Sequence, residues 1–452
     1  MQTPTSRKVA VIGAGAAGII AARELHQEGH QITVFERNST AGGLWVYSPT
    51  TESDPLGIDP SRTIIHSSVY ESLRANLPRE LSGFSDFPFV AKPGKNRDPR
   101  RFPRHEEVAL YLNEFVNVFG LTEFIRFETE VILAKFIDDG KFLVRSRSRN
   151  EDLEEEEFFN AVVVCNGHYT NPRIADIPGI DVWPGKQIHS HNYRVPDPYK
   201  NKVVVLVGYQ ASGYDISREI AEVAKEVHIA SKKNTNSIPT LITGHDNMWL
   251  HSKINGAYKD GRLVFEDGTS VLVDIILHCT GYKYDFPFLD TGGVVTVDEN
   301  RVDPLYKHVF PPSLAPWLSF IGIPFLNIPF SFFEAQSKWV ARILSGRASL
   351  PSEEEMISSV NAHYSKLESA GVPKGYTHVM GLSQFEYTDW LAAQGNFPPI
   401  EDWRKEMFLS IFTNRDSFSE NYRDEWDDEK LISRAYEDFR KYLPSPTMQN
   451  GY

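Results

Sequence analysis

"VAVIGAGAAGIIAARELHQEGHQITVFER" occupies Val9 to Arg37, and "VVVLVGYQASGYDISREIAEVAKEVHIASKK" occupies Val203 to Lys233. Each stretch reads as an apolar strand, a glycine turn, a helix and a second strand. In the first, Gly13-x-Gly15-x-x-Gly18 follows the strand and opens the helix. Gly13 allows the tight turn, Gly15 lets a pyrophosphate approach bare backbone, and Gly18 lets helix and strand pack closely. The helix N-terminus offers free N–H groups and the positive end of its dipole to phosphate. Glu36 closes the next strand, where a carboxylate binds ribose hydroxyls and repels a 2′-phosphate. The first unit is therefore expected to hold FAD or NAD rather than NADP. The turn "AGGLW" (Ala41 to Trp45) favours FAD, because the backbone at Gly43, Leu44 and Trp45 can pass close to a ribityl-diphosphate arm.

The second unit keeps Gly208 and Gly213 but has Gln210 in the middle position, beside Tyr209. No acid closes its second strand. Ser231, Lys232 and Lys233 stand there instead, and a hydroxyl with two cations suits a 2′-phosphate, so this unit is expected to choose NADPH. One flavin site and one nicotinamide site in a single chain imply hydride transfer from NADPH to flavin.

The rest of the 452 residues sets the boundaries. The length allows two or three domains. Hydrophobic residues make up 41% and charged residues 24%, an ordinary globular composition. The net charge of −13 and the lack of a basic patch argue against nucleic acid as a partner. The N-terminus enters a strand at once, without the apolar run of a secretory signal. No apolar stretch reaches the ~20 residues of a membrane span. A soluble, cytoplasmic protein is expected. Cys165 and Cys279 each follow an apolar strand, in "AVVVCNGHY" and "DIILHCTGYKY", and both read as buried free thiols.

Residues 46–105 are rich in proline and loop. A helix is predicted over His105 to Gly120, and strands over "FIRFETEVILAKFI" and "KFLVRSRSR". "NEDLEEEE" reads as a solvated acidic turn, and "FFNAVVVCNG" as a buried strand. The prolines and glycines of "HYTNPRIADIPGI" mark a domain crossover. "LSFIGIPF" reads as a strand, "FSFFEAQSKWVARILSG" as an amphipathic helix, residues 351–445 as mostly helical, and the tail "PSPTMQNGY" as disordered. The expected fold is α/β, with two Rossmann-like dinucleotide-binding domains. Residues 1–170 form the first part of an FAD domain, 171–284 an inserted NADP domain, and 285–452 the remaining FAD domain with C-terminal helices.

Reduced flavin can pass electrons to a disulfide, a quinone or oxygen. The chain has no cysteine pair for the first of these, which leaves oxygen attractive. "WPGKQIHSHNYR" (Trp183 to Arg194) resembles the F-x-G-x-x-x-H-x-x-x-[YF] fingerprint of flavin-containing monooxygenases, with Trp183 in the Phe position. Tyr193 closes the motif where Baeyer–Villiger relatives have Trp. "SSVYESLRANLPRELSGFSDFPFV", "HCTGYKYDFPFL", "ENRVDPLYKHVF", "EAQSKWVARILSGR" and "YRDEWDD" resemble the plant S-oxygenating branch. That branch comprises the glucosinolate S-oxygenase-like enzymes, with S-alkenyl-cysteine S-oxygenases near it. The resemblance covers most of the chain.

The resemblance implies an NADPH- and O2-dependent monooxygenase that converts a small thioether to its sulfoxide through a C4a-hydroperoxyflavin. The substrate would be an S-alkyl or S-allyl cysteine or a methylthioalkyl glucosinolate. Asn76 in "LRANLP" matches the family's active-site asparagine; its other reading is a loop residue capping its own backbone. Val131, Ser212, Thr280 and Gly281 complete the expected cofactor-binding set. His189, the motif histidine, is expected to order the hinge between domains. No third ligand accompanies His189 and His191, so no metal is expected. Trp45, Phe84, Phe87, Phe89, Phe325 and Phe330 either line the pocket or belong to the core. Two other readings stay open. One is an NADPH oxidase or auxin-forming type of flavin enzyme acting on a keto acid or amine. The other is a non-catalytic dinucleotide-binding regulator.

Overall fold

A computed structural model describes residues 5–137, 140–149, 153–236, 238–418, 421–425 and 428–443. The first three residues of the acidic run and the tail from 444 lie outside this set. The described chain divides into two compact units. One comprises the described residues within 1–46, 74–167 and 284–452, and the other those within 47–73 and 168–283.

The first unit is built on five parallel strands. Their spatial order is Leu318–Phe320, Ala161–Val164, Lys8–Ile12, Gln31–Phe35, Ile125–Arg126. Alternation of side chains along Lys8–Ile12 decides the layers. Val9 and Val11 join a core with the helices Ala16–Gln27, His105–Val118 and Pro329–Ser345. Ala10 and Ile12 face the opposite way, into a second core shared with Phe142, Val144 and Phe159. Those last residues belong to a sheet of Thr129–Ile137, Lys141–Ser148 and Glu154–Phe159, antiparallel throughout, with Leu289–Asp290 added in parallel.

The acidic run departs from its expected form. Glu154–Phe159 is an edge strand, not a turn. Its glutamates face arginines of the neighbouring strand: Arg147 Nη2 donates to Glu154 at 2.7 Å and Arg145 Nε to Glu156 at 2.7 Å. Cross-strand pairing thus neutralises charges that would otherwise favour a turn, though each exposed pair contributes only about 0.2–1 kcal/mol. The predicted "FFNAVVVCNG" strand breaks at Asn160, whose Oδ1 accepts from the Lys8 N–H at 2.8 Å. Past the last parallel strand the chain is helical, as read. A capping box at Ser352 and Glu355 starts Glu353–Ser369. Trp403, Met407 and Ile411 of the Asp402–Phe418 helix pack with Ala435 and Phe439 in a satellite core.

The second unit carries a sheet of six strands. Their order is Thr240–Leu241, Met248–His251, Glu226–Ala230, Val203–Val207, Ile275–His278, Lys186–His189, and only the first is antiparallel to its neighbour. The helix Ala211–Ala221 covers one face. A three-stranded meander, Ile254–Ala257, Arg262–Phe265 and Ser270–Leu272, covers the other. In both units the first strand of the motif lies between the next strand in sequence and a much later one. That arrangement is the switch point of a doubly wound sheet, where ligands bind at the carboxyl ends of strands.

Residues 47–73 fold with the second unit, a placement the sequence reading does not make. The segment has no helix or strand, and Tyr70 and Leu73 anchor it in that unit's core.

Candidate functional site

The two glycine turns have the same geometry. Gly13 and Gly208 both sit at φ +102°, a conformation that L side chains rarely adopt. A Cβ on Gly13 would lie 2.7 Å from the Cys165 carbonyl oxygen, and one on Gly208 would lie 2.6 Å from that of Cys279. Gly18 and Gly213 stand directly over Gly13 and Gly208, where a Cβ would come within 1.8 Å and 2.1 Å of the carbonyl oxygen beneath. The doubled cysteine context therefore has a physical reason. Each cysteine follows the later strand and lies under the glycine turn, where a small apolar side chain fits. Both are free and buried. Burial pushes the Cys165 thiol up and the Cys279 thiol up to about 12, so neither is a nucleophile near neutral pH.

The middle position differs between the turns. Gly15 (φ −73°) and Gln210 (φ −92°) are both extended N-cap residues, so the backbone demands glycine at neither. What sets Gly15 apart is a close approach. The second glycine turn crosses it, and a Cβ on Gly43 would lie 2.9 Å from the Gly15 Cα. The Gly42 N–H donates to the Ala14 carbonyl at 3.0 Å. Asn113 braces the same turn, its Nδ2 donating to the Ala41 carbonyl at 3.1 Å. Gly43, Leu44 and Trp45 form one 3-10 turn just beyond, with Trp45 packed against the core.

Glu36 is only 4% exposed. Its Oε2 accepts from the Ala14 N–H and its Oε1 from the Asn38 N–H, both at 2.8 Å. Burial raises the carboxyl above its ordinary range, and the two N–H donors oppose that shift. Each oxygen keeps a further lone pair for a hydroxyl donor. Glu36 thus braces the glycine turn from within and can still accept from a sugar. Val131 is buried in the neighbouring sheet. It lies two residues beyond Thr129, whose N–H donates to the Glu36 carbonyl at 2.9 Å.

This cradle fits a dinucleotide. No side chain caps the Ala16–Gln27 helix and no acid lies in its first turn, so its leading N–H groups are left for phosphate. The Ala211–Ala221 helix has the same uncapped, acid-free start, with Ser212 in its first turn and half-buried.

In the second unit the Gly208 N–H donates to the Ala230 carbonyl at 2.9 Å, which ties the turn to the strand leading into Ser231. The Ser231 hydroxyl accepts from the Lys233 N–H at 3.3 Å. Lys232 and Lys233 are exposed, and neither has an ion-pair partner among the described residues. Thr280 and Gly281 follow Cys279 and are already engaged. Arg173 Nη2 donates to the Thr280 carbonyl at 2.7 Å, and the Arg173 N–H to the Gly281 carbonyl at 2.9 Å.

Asn76 lies on an exposed loop of the first unit. Its flanks are fixed: the Ala75 N–H donates to the Pro103 carbonyl at 2.8 Å and the Arg79 N–H to the Arg101 carbonyl at 2.9 Å. Its amide makes no hydrogen bond among the described residues, so it does not cap its own backbone. Among the described residues no hydrogen bond joins Asn76 to the Gly13–Gly18 turn. Of the six aromatics, Phe84, Phe89 and Phe330 are buried with Tyr111 and Phe115 and belong to the core.

The fingerprint residues brace the second unit. A Cβ on Gly185 would strike the Trp183 ring at 2.1 Å. His189 Nδ1 accepts from the His191 N–H at 3.0 Å, and Nε2 lies 3.1 Å from the Gly281 carbonyl. Tyr193 donates to Glu219 at 2.6 Å. Among the described residues no group of three or more His, Cys, Asp or Glu could hold a metal ion, and no helix is long and apolar enough to cross a membrane. Sequence reasoning missed Glu52, Asn192 and Arg194, a buried polar set in this unit. The one signal available was that Asn192 and Arg194 flank the last fingerprint residue.

The profile of the flavin-binding monooxygenase-like family matches residues 6–244 and 236–399. Flavin-containing monooxygenase FMO GS-OX-like 2 of Arabidopsis thaliana is 57% identical over 98% of this chain and 96% of its own. GS-OX-like 3 of the same plant is 54% identical over 97% and 99%. The solved structure of S-allyl-L-cysteine S-oxygenase from Allium sativum superposes with a TM-score of 0.95 at 55% identity, over 97% of this chain and all of that one.

Proposed function

The chain belongs to the flavin-binding monooxygenase-like family and is a flavin-containing monooxygenase, and we propose that it oxidises a small thioether to a sulfoxide. The substrate class is an S-alkyl or S-allyl cysteine or a methylthioalkyl glucosinolate. The overall reaction balances as thioether + O2 + NADPH + H⁺ → sulfoxide + NADP⁺ + H2O. Bound FAD supplies hydride acceptance from NADPH and the activation of O2.

Gly13, Gly15, Gly18 and the Ala16–Gln27 helix start hold the FAD pyrophosphate, while Glu36 accepts from the ribose. Gly43, Leu44, Trp45 and Val131 complete that site. Gly208, Ser212 and Gly213 take the NADPH pyrophosphate, beside Thr280 and Gly281. Ser231, Lys232 and Lys233 bind its 2′-phosphate. Asn76 offers amide donors and an acceptor to the reacting groups without bringing a charge. The substrate sulfur is its own nucleophile, so the protein's task is to orient it and exclude water.

The observation that carries this reading is the contrast between two matching cradles. One closes on a buried carboxylate and the other on a hydroxyl and two unpaired lysines. The near-complete superposition on an S-oxygenase supports the substrate class. The test is a panel of thioethers with NADPH, read by product mass spectrometry. Sulfoxide formed in step with NADPH loss supports the assignment. Peroxide alone, or decarboxylation of a keto acid, overturns it.

A further inference from the structure

Arg194 is 6% exposed, and no carboxylate accepts any of its N–H groups. All five donors end on backbone carbonyls. Nε donates to Ser48 at 2.7 Å; Nη1 to His191 and Tyr193, both at 2.8 Å; Nη2 to Thr50 at 3.2 Å and Ser67 at 3.1 Å. Its own carbonyl accepts from the Glu71 N–H at 3.0 Å. One residue thus gathers both arms of the 47–73 segment: its side chain holds the outgoing arm at Ser48 and Thr50 and the returning arm at Ser67, and its backbone carbonyl holds Glu71.

Its neighbours hold the middle of the segment. Asn192 Nδ2 donates to the Asp54 and Pro55 carbonyls at 3.0 and 3.1 Å, and its Oδ1 accepts from the Glu52 N–H at 2.9 Å. Glu52 accepts from Arg62 Nε at 2.7 Å and from the Ile65 N–H at 3.0 Å, and lies 3.3 Å from His191 Nε2.

The ends of this segment are what make the clamp functional. The chain passes from the first unit to the second after Val46 and returns at Arg74. Trp45 is three residues from Ser48, and Asn76 is five residues from Glu71. Fully extended chain spans at most about 11 Å and about 18 Å over those lengths. We propose that Arg194 is a positioning residue for oxygenation: by holding both arms, it keeps the chain ordered just beyond the Gly43–Trp45 turn and on the stretch that leads back toward Asn76. This rests on the reading of that turn and of Asn76 as facing the flavin.

Arg194→Lys in the FAD-loaded protein tests the proposal. A lysine ammonium is a point donor and cannot reach carbonyls on both arms. Hydrogen exchange should quicken about tenfold or more at residues 47–51 and 66–70 together, with both glycine turns unchanged. NADPH consumption and the KM for NADPH should stay within about threefold, because the cofactor cradles are untouched. Sulfoxide formed per NADPH should fall about fivefold or more, with the balance released as hydrogen peroxide. Loosening of both arms with wild-type product yield would overturn the proposal, as would loosening of one arm alone. Should the lysine variant not fold, Arg194→Gln, a shorter neutral side chain that cannot span both arms, is read in the same way. An Asn76→Ala control separates the two levels: wild-type yield there counts against the reading of Asn76, whatever Arg194 does.

Discussion

Asn76 keeps its full hydrogen-bonding capacity on a loop whose flanks are pinned. Asn76→Asp keeps its shape and removes the N–H donors, and on the proposed reading it adds a negative charge where oxygen reduction develops one. Flavin reduction by NADPH should persist, while sulfoxide yield falls tenfold or more and peroxide takes up the balance. Rapid mixing of the reduced variant with oxygen, followed by product analysis, checks this; undiminished sulfoxide yield would leave Asn76 a plain loop residue. The lysines at the other cradle make a cleaner case because nothing in the described chain competes for them. On the proposed reading, replacing Lys232 and Lys233 by alanine removes two charge-assisted contacts of about 1.5–3 kcal/mol each. The NADPH KM should therefore rise at least about tenfold, and the NADH KM should barely move. Equal changes for both cofactors would show the pair to be surface charge only.

Of the three glycine positions in each turn only the middle one differs, and geometry says whether that difference matters. Gln210 sits at φ −92°, which any residue adopts, so Gln210→Gly should fold normally and change the NADPH KM by less than about threefold. Gly208→Ala is the opposite case. It forces φ +102° on alanine and drives Cβ into the Cys279 carbonyl, costing on the order of 1–3 kcal/mol or more. Thermal melts of the two variants beside wild type decide the matter. These turns were legible in the sequence because strand, glycine spacing and helix are local signals. Glu36 was legible as the residue closing its strand, but its N–H contact to Ala14 across the turn was not. The acidic strand was misread because charge composition is local, whereas the arginines that pair with it sit on another strand. Arg194 was invisible for a further reason. It holds carbonyls up to 146 residues away, and a backbone carbonyl leaves no mark in a sequence.

Across the whole molecule, buried histidines set the response to acid. Burial holds His308 at about 3, with a push from His363; burial also holds His189 at about 3, with smaller pushes from His191 and His278. His278 is held at about 4 by burial, and His228 at about 4 by burial and then His251. All four stay neutral in the fold, while their unfolded counterparts take a proton near pH 6.5. Between those values the unfolded chain binds more protons, so stability is lost as pH falls from about 6.5 toward 4. The loss should amount to several kcal/mol by pH 5, seen as a falling melting temperature between pH 7 and pH 5. His308→Asn should flatten that slope, since asparagine tolerates the φ of +58° at this position. An unchanged slope would mean that other groups control the transition. The Glu154–Phe159 strand bears on a different collective property. A sheet border normally invites a copy of itself to dock about 4.8 Å away. Here the border carries Glu154, Glu155, Glu156 and Glu157 in succession, held by Arg147, Arg126, Arg145 and Lys8, so a docking copy would have to strip water from a row of ion pairs. Phe158, exposed among them, is thereby set in a hydrated, charged border, and the molecule gains resistance to self-templated stacking that strong acid, by protonating the glutamates, would strip away.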